Sequence, residues 1–86
     1  MYFVYILQSL KDLRTYVGFT DNFDRRLKQH NSGLVKSTKH RIPFKVLYYE
    51  VSTTSKEAKK RELWYKSGAG RRKLKEYFQK LASNIS

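Results

Sequence analysis

The sequence predicts a small α/β domain in which a three-stranded, mainly antiparallel sheet is flanked by helices. The chain has 86 residues, of which 40% are hydrophobic, and this is enough for one thin core. Three β-branched and aromatic runs alternate with helix-capping signals, which predicts the order β-β-α-β-α-α. The chain has no cysteine, so disulfide frameworks, thiolate zinc sites and thiol nucleophiles are excluded. We expect one domain over residues 1–86.

The first third of the chain predicts a hairpin and a short helix. Tyr2–Gln8 and Thr15–Phe19 are rich in β-branched and aromatic residues, and their closeness in sequence favours an antiparallel pair. Three consecutive N-cap residues at 20–22 then predict a helix over Phe23–His30. Gly33 is expected to end that segment in the left-handed conformation.

A third strand and a second helix follow a basic loop. Phe44–Val51 predicts a strand, which its apolar density places at the centre of the sheet. Thr54 with Glu57 three residues later is a capping-box pattern, and it predicts a helix that continues to about Ser67. The apolar positions of this helix are Leu63, Trp64 and Ala58.

The C-terminal part predicts a last, basic helix. Gly68–Gly70 is expected to end the second helix. A last helix is predicted over Arg71–Leu81, within a basic segment at about 71–83. Its apolar residues are spaced four and three apart, as a buried helix face requires. They are Leu74, Phe78 and Leu81.

The charge of the chain predicts a polyanionic partner. Nineteen Lys and Arg oppose seven Asp and Glu, which gives a formal net charge of +12 and a pI near 10.1. The longest apolar run, at 1–7, is far shorter than a membrane span and lacks the features of a signal peptide. We therefore expect a soluble cytoplasmic protein that binds DNA, with RNA as an alternative, and no membrane. The oligomeric state stays open.

Five residues form a candidate catalytic set. Tyr5 and Tyr16 lie in the two strands of the predicted hairpin, and Arg26 and His30 are four apart on one helix face. Glu62 lies inside the second helix. We expect the five side chains to line one open, concave surface.

The order of these residues resembles that of the GIY-YIG nucleases. The resemblance covers about residues 2–67 and lies in two tyrosine motifs, an Arg-X-X-X-His helix and a glutamate-bearing helix. It is strongest with the small stand-alone proteins of the UPF0213 group. The segments that carry it are Phe3-Val4-Tyr5, Tyr16-Val17-Gly18, Asp21–His30, Asn31-Ser32-Gly33, Ser37–Pro43 and Ser55–Glu62.

The resemblance implies an endonuclease that hydrolyses DNA phosphodiesters with one divalent metal ion. Carried over by position, Tyr5 or Tyr16 would be the general base and the other the orienting group. Arg26 would hold the phosphate, Glu62 would ligate the metal, and His30 would assist. A single carboxylate ligand suits Mg²⁺ or Mn²⁺, which keep several waters and prefer oxygen. Without a second domain, we expect weak or structure-based selection of DNA.

Tyrosine is a demanding general base. Its ordinary pKa is about 10, so forming the phenolate at neutral pH costs roughly 4 kcal/mol. We expect the Arg26 guanidinium and a metal ion to lower that pKa. The sequence does not distinguish which of the two tyrosines is the base.

Two other functions are compatible with the same charge. One is a non-catalytic nucleic-acid-binding protein on a decayed nuclease fold, and the other is a basic RNA-associated protein without an active site. Only the nuclease needs both tyrosines, Arg26 and Glu62 together. For all three functions, the expected flanking phosphate contacts are Lys39, Arg41, Arg71, Arg72 and Lys73.

Overall fold

A computed structural model describes the backbone of residues 1–85 and the side chains of 1–77, 79 and 80. It has the predicted order β-β-α-β-α-α, with one additional 3₁₀ turn at Lys39–Arg41 before the third strand. The strands are β1 (Tyr2–Ser9), β2 (Thr15–Thr20) and β3 (Phe44–Ser52). The helices are α1 (Phe23–Asn31), α2 (Ser55–Lys66) and α3 (Gly68–Ile85).

The sheet is antiparallel throughout, and its central strand is β1. The prediction that β3 is central was wrong, since the strand order is β2-β1-β3. Residues Val4–Leu7 are all at most 1% exposed, so β1 is covered on both faces. In β3, by contrast, Val46 and Val51 are 38% and 47% exposed. Apolar density therefore did not distinguish a central strand from an edge strand whose apolar side chains face solvent.

Each face of the sheet carries its own hydrophobic cluster. On one face Val4, Ile6 and Val17 pack with residues of α2 and α3. On the other face Tyr5 and Leu7 pack with residues of α1 and the start of β3. Because side chains alternate along a strand, neighbouring residues of β1 belong to different clusters. This alternation places Tyr5 on the α1 face of the sheet.

The predicted helix caps are confirmed. The Asn22 side chain accepts a hydrogen bond from the backbone N–H of Arg25 at 3.1 Å, and Thr54 accepts one from Glu57 at 3.2 Å. Gly33 has φ +76°, as expected of the residue that ends α1. These caps fix where the two helices that carry the candidate residues begin.

The expected break at Gly68–Gly70 is the first turn of α3, not a loop. Ser67 ends α2, and its hydroxyl accepts a hydrogen bond from the backbone N–H of Gly70 at 3.3 Å. A Cβ at Gly70 would lie 2.1 Å from the Trp64 carbonyl oxygen. The glycine thus allows the two helices to approach at a tight corner, rather than interrupting the helix.

The apolar positions of the last two helices were predicted in part. Ala58 and Leu74 are buried as expected, but Leu63 is 54% exposed, and Tyr65 is buried instead. The predicted burial of Phe78 and Leu81 lies outside the described side chains. Within residues 1–85 no helix is long and apolar enough to cross a bilayer.

Candidate active site

Two phenol rings from the hairpin form the floor of the candidate site. Tyr5 pairs with Gly18 and Leu7 with Tyr16 across the β1–β2 ladder, so the two tyrosines are diagonal neighbours. Their ring centroids are 6.3 Å apart. A Cβ at Gly18 would lie 2.5 Å from the Tyr5 hydroxyl oxygen and 3.1 Å from a Tyr16 ring carbon. Gly18 therefore leaves the space that both rings need.

Arg26 lies beside both phenols. It projects from α1 and is half-buried, and its Nη1 donates to the Gln29 Oε1 at 3.2 Å. A hydrogen bond with Tyr5 is the main cause that raises the pKa of the guanidinium, and one with Tyr16 contributes in the same direction. The site thus holds one permanent cation that interacts electrostatically with both phenols.

His30 joins the Tyr5 hydroxyl to the loop after α1. Thr38 donates to the Val35 carbonyl at 3.5 Å, and we therefore assign it as acceptor of the His30 Nδ1–H at 2.8 Å. Nε2 is then an acceptor, and the Tyr5 hydroxyl donates to it at 3.0 Å. Burial, with the charge of Arg26 nearby, lowers the pKa of His30 to about 4. His30 is accordingly neutral at pH 7.

Glu62 approaches from α2, which packs on the opposite face of the sheet from α1. Its side chain is buried, and its Oε1 lies 3.1 Å from the Lys59 Nζ and 3.5 Å from the Lys66 Nζ. The carboxylate also acts electrostatically on Tyr5, whose pKa it raises. Arg26 and Glu62 therefore influence the same phenol, although they belong to helices on different faces.

The candidate set is less open than the sequence predicted. Tyr5 and His30 are 1% and 0% exposed, and only Tyr16 and Arg26 are half-buried. Tyr5 is covered because it lies on the central strand under α1, whereas Tyr16 lies on an edge strand. An external phosphate can therefore reach Tyr16 and Arg26 more readily than the other three side chains, since Glu62 is also buried.

The expected lowering of the phenol pKa is not found at Tyr5. Burial raises that pKa and outweighs the hydrogen bond from Arg26, which lowers it. The nearby Tyr16 and Glu62 raise it further. Tyr5 is thus neutral at pH 7 and is held as a hydrogen-bonding group.

The carboxylate chemistry of Glu62 fits a divalent ion with few protein ligands. Among the described residues, no three His, Cys, Asp or Glu side chains cluster as a metal site. Mg²⁺ is commonly held by one or two carboxylates, with water and substrate phosphate as the other ligands. Glu62 is the residue that would hold such an ion, and both of its lysine contacts fall on Oε1.

The predicted phosphate contacts differ in their surroundings. Arg41 is held within the fold, since its Nε contacts Asp12 at 3.1 Å and its guanidinium lies 5.7 Å from the Phe44 ring centroid. Lys39 is exposed on the 3₁₀ turn. The three basic residues at 71–73 are exposed near the start of α3 and project in different directions.

Several partners of the site were not singled out from the sequence. Thr38 comes from the basic loop, and no local pattern indicates that this loop folds back onto His30. Gln29 lies three residues after Arg26, a spacing that could have identified the pair. By contrast, the four-residue spacing of Glu62 and Lys66 predicts a helical ion pair, and the structure confirms it at 3.5 Å.

Comparison with known sequences assigns the class of this domain. The sequence profile of the GIY-YIG catalytic domain matches residues 1–83. The chain therefore belongs to the GIY-YIG family, which is a family of endonucleases. The match covers both strands of the hairpin and all five candidate catalytic residues.

Within this family the chain is similar to UPF0213 proteins. It is 40% identical over 75 residues to a UPF0213 protein of Clostridium perfringens, which covers 86% of this chain and 80% of that one. A UPF0213 protein of Bacillus licheniformis is 39% identical over 66 residues, covering 76% and 67% of the two chains. The solution NMR structure of a UPF0213 protein from Bacillus halodurans has a TM-score of 0.53 and 34% identity, covering 90% and 85%.

Proposed function

We propose that this protein is a divalent-metal-dependent DNA endonuclease with weak or structure-based selectivity. The observation that carries the proposal is the cluster of Tyr5, Tyr16 and His30, whose ring centroids lie 4.9–6.3 Å apart and whose two phenols interact electrostatically with Arg26. Membership of the GIY-YIG family supports it. The net charge of +12 supplies the general attraction for a polyanion.

Arg26 is the residue that binds the scissile phosphate in this proposal. Its guanidinium is half-buried and held by Gln29, so its direction is fixed before substrate arrives. The phosphate gains negative charge as water attacks phosphorus. A fixed cation at that position stabilises the transition state more than the ground state.

Tyr16 is the tyrosine that contacts the attacking water. It is half-buried on an edge strand, whereas Tyr5 is covered and its hydroxyl is engaged with His30. In the phenolate form, which the positive charge of Arg26 stabilises, the Tyr16 oxygen takes one proton from the water as the water oxygen bonds to phosphorus, and it becomes a neutral phenol. The bond from phosphorus to the leaving oxygen breaks, and that oxygen leaves as an alkoxide that solvent protonates.

Tyr5 and His30 are positioning residues. Tyr5 holds Arg26 on one side, and His30 fixes the Tyr5 hydroxyl on the other. Glu62 is the protein ligand for Mg²⁺ or Mn²⁺. When bound, such an ion supplies Lewis-acid stabilisation of the phosphate and the leaving oxygen.

A second candidate function is nucleic-acid binding without cleavage. It is favoured by the two lysines on Glu62, which compete with a metal ion for the carboxylate. It is also favoured by the raised pKa of Tyr5, which burial causes. Both functions predict binding to DNA, and they differ only in the metal-dependent reaction.

Plasmid nicking separates the two functions. The wild-type protein is incubated with supercoiled, branched and single-stranded DNA, in Mg²⁺, in Mn²⁺ and in excess chelator. We expect cleavage with either metal and none in chelator. Absence of cleavage on all three substrates, with binding retained, would establish the binding function instead.

A matched pair of variants distinguishes cleavage by this protein from cleavage by a contaminating nuclease. Arg26→Ala should reduce the cleavage rate by about 10²–10³, the usual loss for a fixed donor to a transition-state charge. Arg25→Ala removes the same charge from the neighbouring, exposed position of α1 and should cleave like the wild type. Equal activity of both variants would show that the reaction does not occur at this site.

A further inference from the structure

A groove runs along the outer edge of β2 and is closed on its far side by α2 and α3. Its volume is about 820 Å³. The residues from the hairpin are Leu13, Arg14, Thr15, Tyr16 and Val17, and those from the helices are Tyr65, Lys66, Arg71, Leu74, Lys75 and Gln79. We call this feature the β2-edge groove.

The charge of the β2-edge groove has one sign. Four of its lining residues are cationic, namely Arg14, Lys66, Arg71 and Lys75, and none of the described lining residues is acidic. Arg71 and Lys75 are exposed and lie four residues apart, so they occupy the same face of α3. Such a rim suits the phosphates of a nucleic-acid strand.

The floor of the β2-edge groove is apolar. Val17 and Leu74 are buried at its base, beside the rings of Tyr16 and Tyr65. Leu13 is 66% exposed and has φ +63°, a conformation that is unfavourable for a leucine. The hairpin turn thus holds an apolar side chain in solvent at the mouth of the groove.

The β2-edge groove is continuous with the candidate catalytic residues. Tyr16 belongs to the groove and also interacts electrostatically with Arg26. Lys66 belongs to the groove and contacts Glu62 at 3.5 Å. A strand that lies in the groove would therefore pass beside both catalytic partners.

We propose that the β2-edge groove binds an unpaired nucleic-acid strand that leads into the site at Tyr16. Cations at the rim contact its phosphates, and its bases lie over the apolar floor, the combination used by proteins that bind single strands. A base-paired duplex would turn its bases inward and leave the apolar floor in contact with water. The inference that the bound strand reaches a catalytic site rests on the proposed nuclease function. The inference that the groove binds a strand does not rest on it.

The α3 helix provides an internal control for this proposal. Arg71 and Lys75 line the groove, whereas Arg72 and Lys73 are exposed on other sides of the same helix. The double variants Arg71→Ala/Lys75→Ala and Arg72→Ala/Lys73→Ala remove the same charge from the same element. Affinity for a single-stranded oligonucleotide is measured by fluorescence anisotropy in chelator, so that no cleavage can occur.

We expect the groove variant to lose about tenfold in affinity and the control variant less than about twofold. The slope of log affinity against log salt should fall by about 1.4 in the groove variant, because two single-strand phosphate contacts are lost. The slope of the control should match that of the wild type. Equal losses in both variants would overturn the proposal, as would an equal loss of affinity for a blunt duplex.

A charge-neutral variant tests the apolar floor separately. Leu13→Asn removes the exposed apolar side chain and places a residue that tolerates positive φ at that position. We expect a more stable protein with weaker single-strand binding, a combination that damage to the fold would not produce. If the affinity for the single strand is unchanged, the proposed contact between its bases and the apolar floor is contradicted. Because these measurements need no cleavage, they fail or succeed independently of the nuclease assay.

Discussion

Protonation of His30 should destabilise the fold by roughly 3 kcal/mol as the pH falls from about 6.5 to about 4. Burial holds the folded pKa of His30 at about 4, against an ordinary value of 6.5. Between these two values the unfolded chain binds more protons than the folded one, so stability falls as the pH falls. Each tenfold difference in proton affinity corresponds to 1.36 kcal/mol, which gives the magnitude. Above about 6.5 the contribution is fully present, and below about 4 it changes no further.

Urea unfolding across this pH window measures the effect, with His30→Gln as the comparison. The variant has no imidazole at this position, while carboxylates such as Asp12 titrate in both proteins and cancel in the difference. His40→Gln, at an exposed position, is the matched control and should behave like the wild type. The wild type should lose stability more steeply than His30→Gln as the pH falls.

Parallel pH profiles of wild type and His30→Gln would refute this reasoning. Should His30→Gln be too unstable for the comparison, an NMR titration of the wild-type imidazole gives the same answer. The His30 resonances should titrate near pH 4. Titration near the ordinary value would show that the contacts with Tyr5 and Thr38 do not exclude the charged form.

The remaining predictions concern the phenols and the glycine between them. Gly18→Ala should cost about 1–3 kcal/mol in urea unfolding, because its Cβ would lie 2.5 Å from the Tyr5 hydroxyl oxygen. In the control Gly68→Ala the new Cβ meets no atom within 4 Å, so the free energy of unfolding should be unchanged or higher. If Gly18→Ala costs no more stability than Gly68→Ala, the Tyr5 side chain can move away from the new methyl group. Tyr16→Phe should keep its stability and lose cleavage, measured by plasmid nicking. Tyr5→Phe should lose about 1–3 kcal/mol of stability, because His30 is left without its partner, and should retain slow cleavage. The opposite result for the two tyrosines would reverse their assigned roles.

Local patterns predicted most of the secondary structure. Side-chain caps at Asn22 and Thr54 depend only on residues three positions away, and both helices begin where these signals place them. Strand position in the sheet is not local in this sense. The apolar density of β3 predicted a central strand, but Val46 and Val51 face solvent at an edge.

The sequence predicted a set of candidate site residues but not their environment. The order of Tyr5, Tyr16, Arg26 and Glu62 is the pattern that predicts this set. The burial of Tyr5 depends on α1 crossing the central strand, which residue spacing does not reveal. The Thr38 contact likewise depends on the return of a loop eight residues after His30. The pKa shifts of Tyr5 and His30 follow mainly from their burial, which residue spacing does not reveal.

The most direct test of the proposed nuclease compares two carboxylates of α2. Glu62→Gln and Glu57→Gln each neutralise one glutamate of the same helix, but Glu62 is buried and Glu57 is exposed in the first turn. The measurement is the rate of plasmid nicking in Mg²⁺ under excess enzyme. We expect Glu57→Gln to cut like the wild type and Glu62→Gln to bind DNA without cutting it. Cleavage by Glu62→Gln at the wild-type rate would contradict the assignment of Glu62 as the metal ligand and of this cluster as the active site.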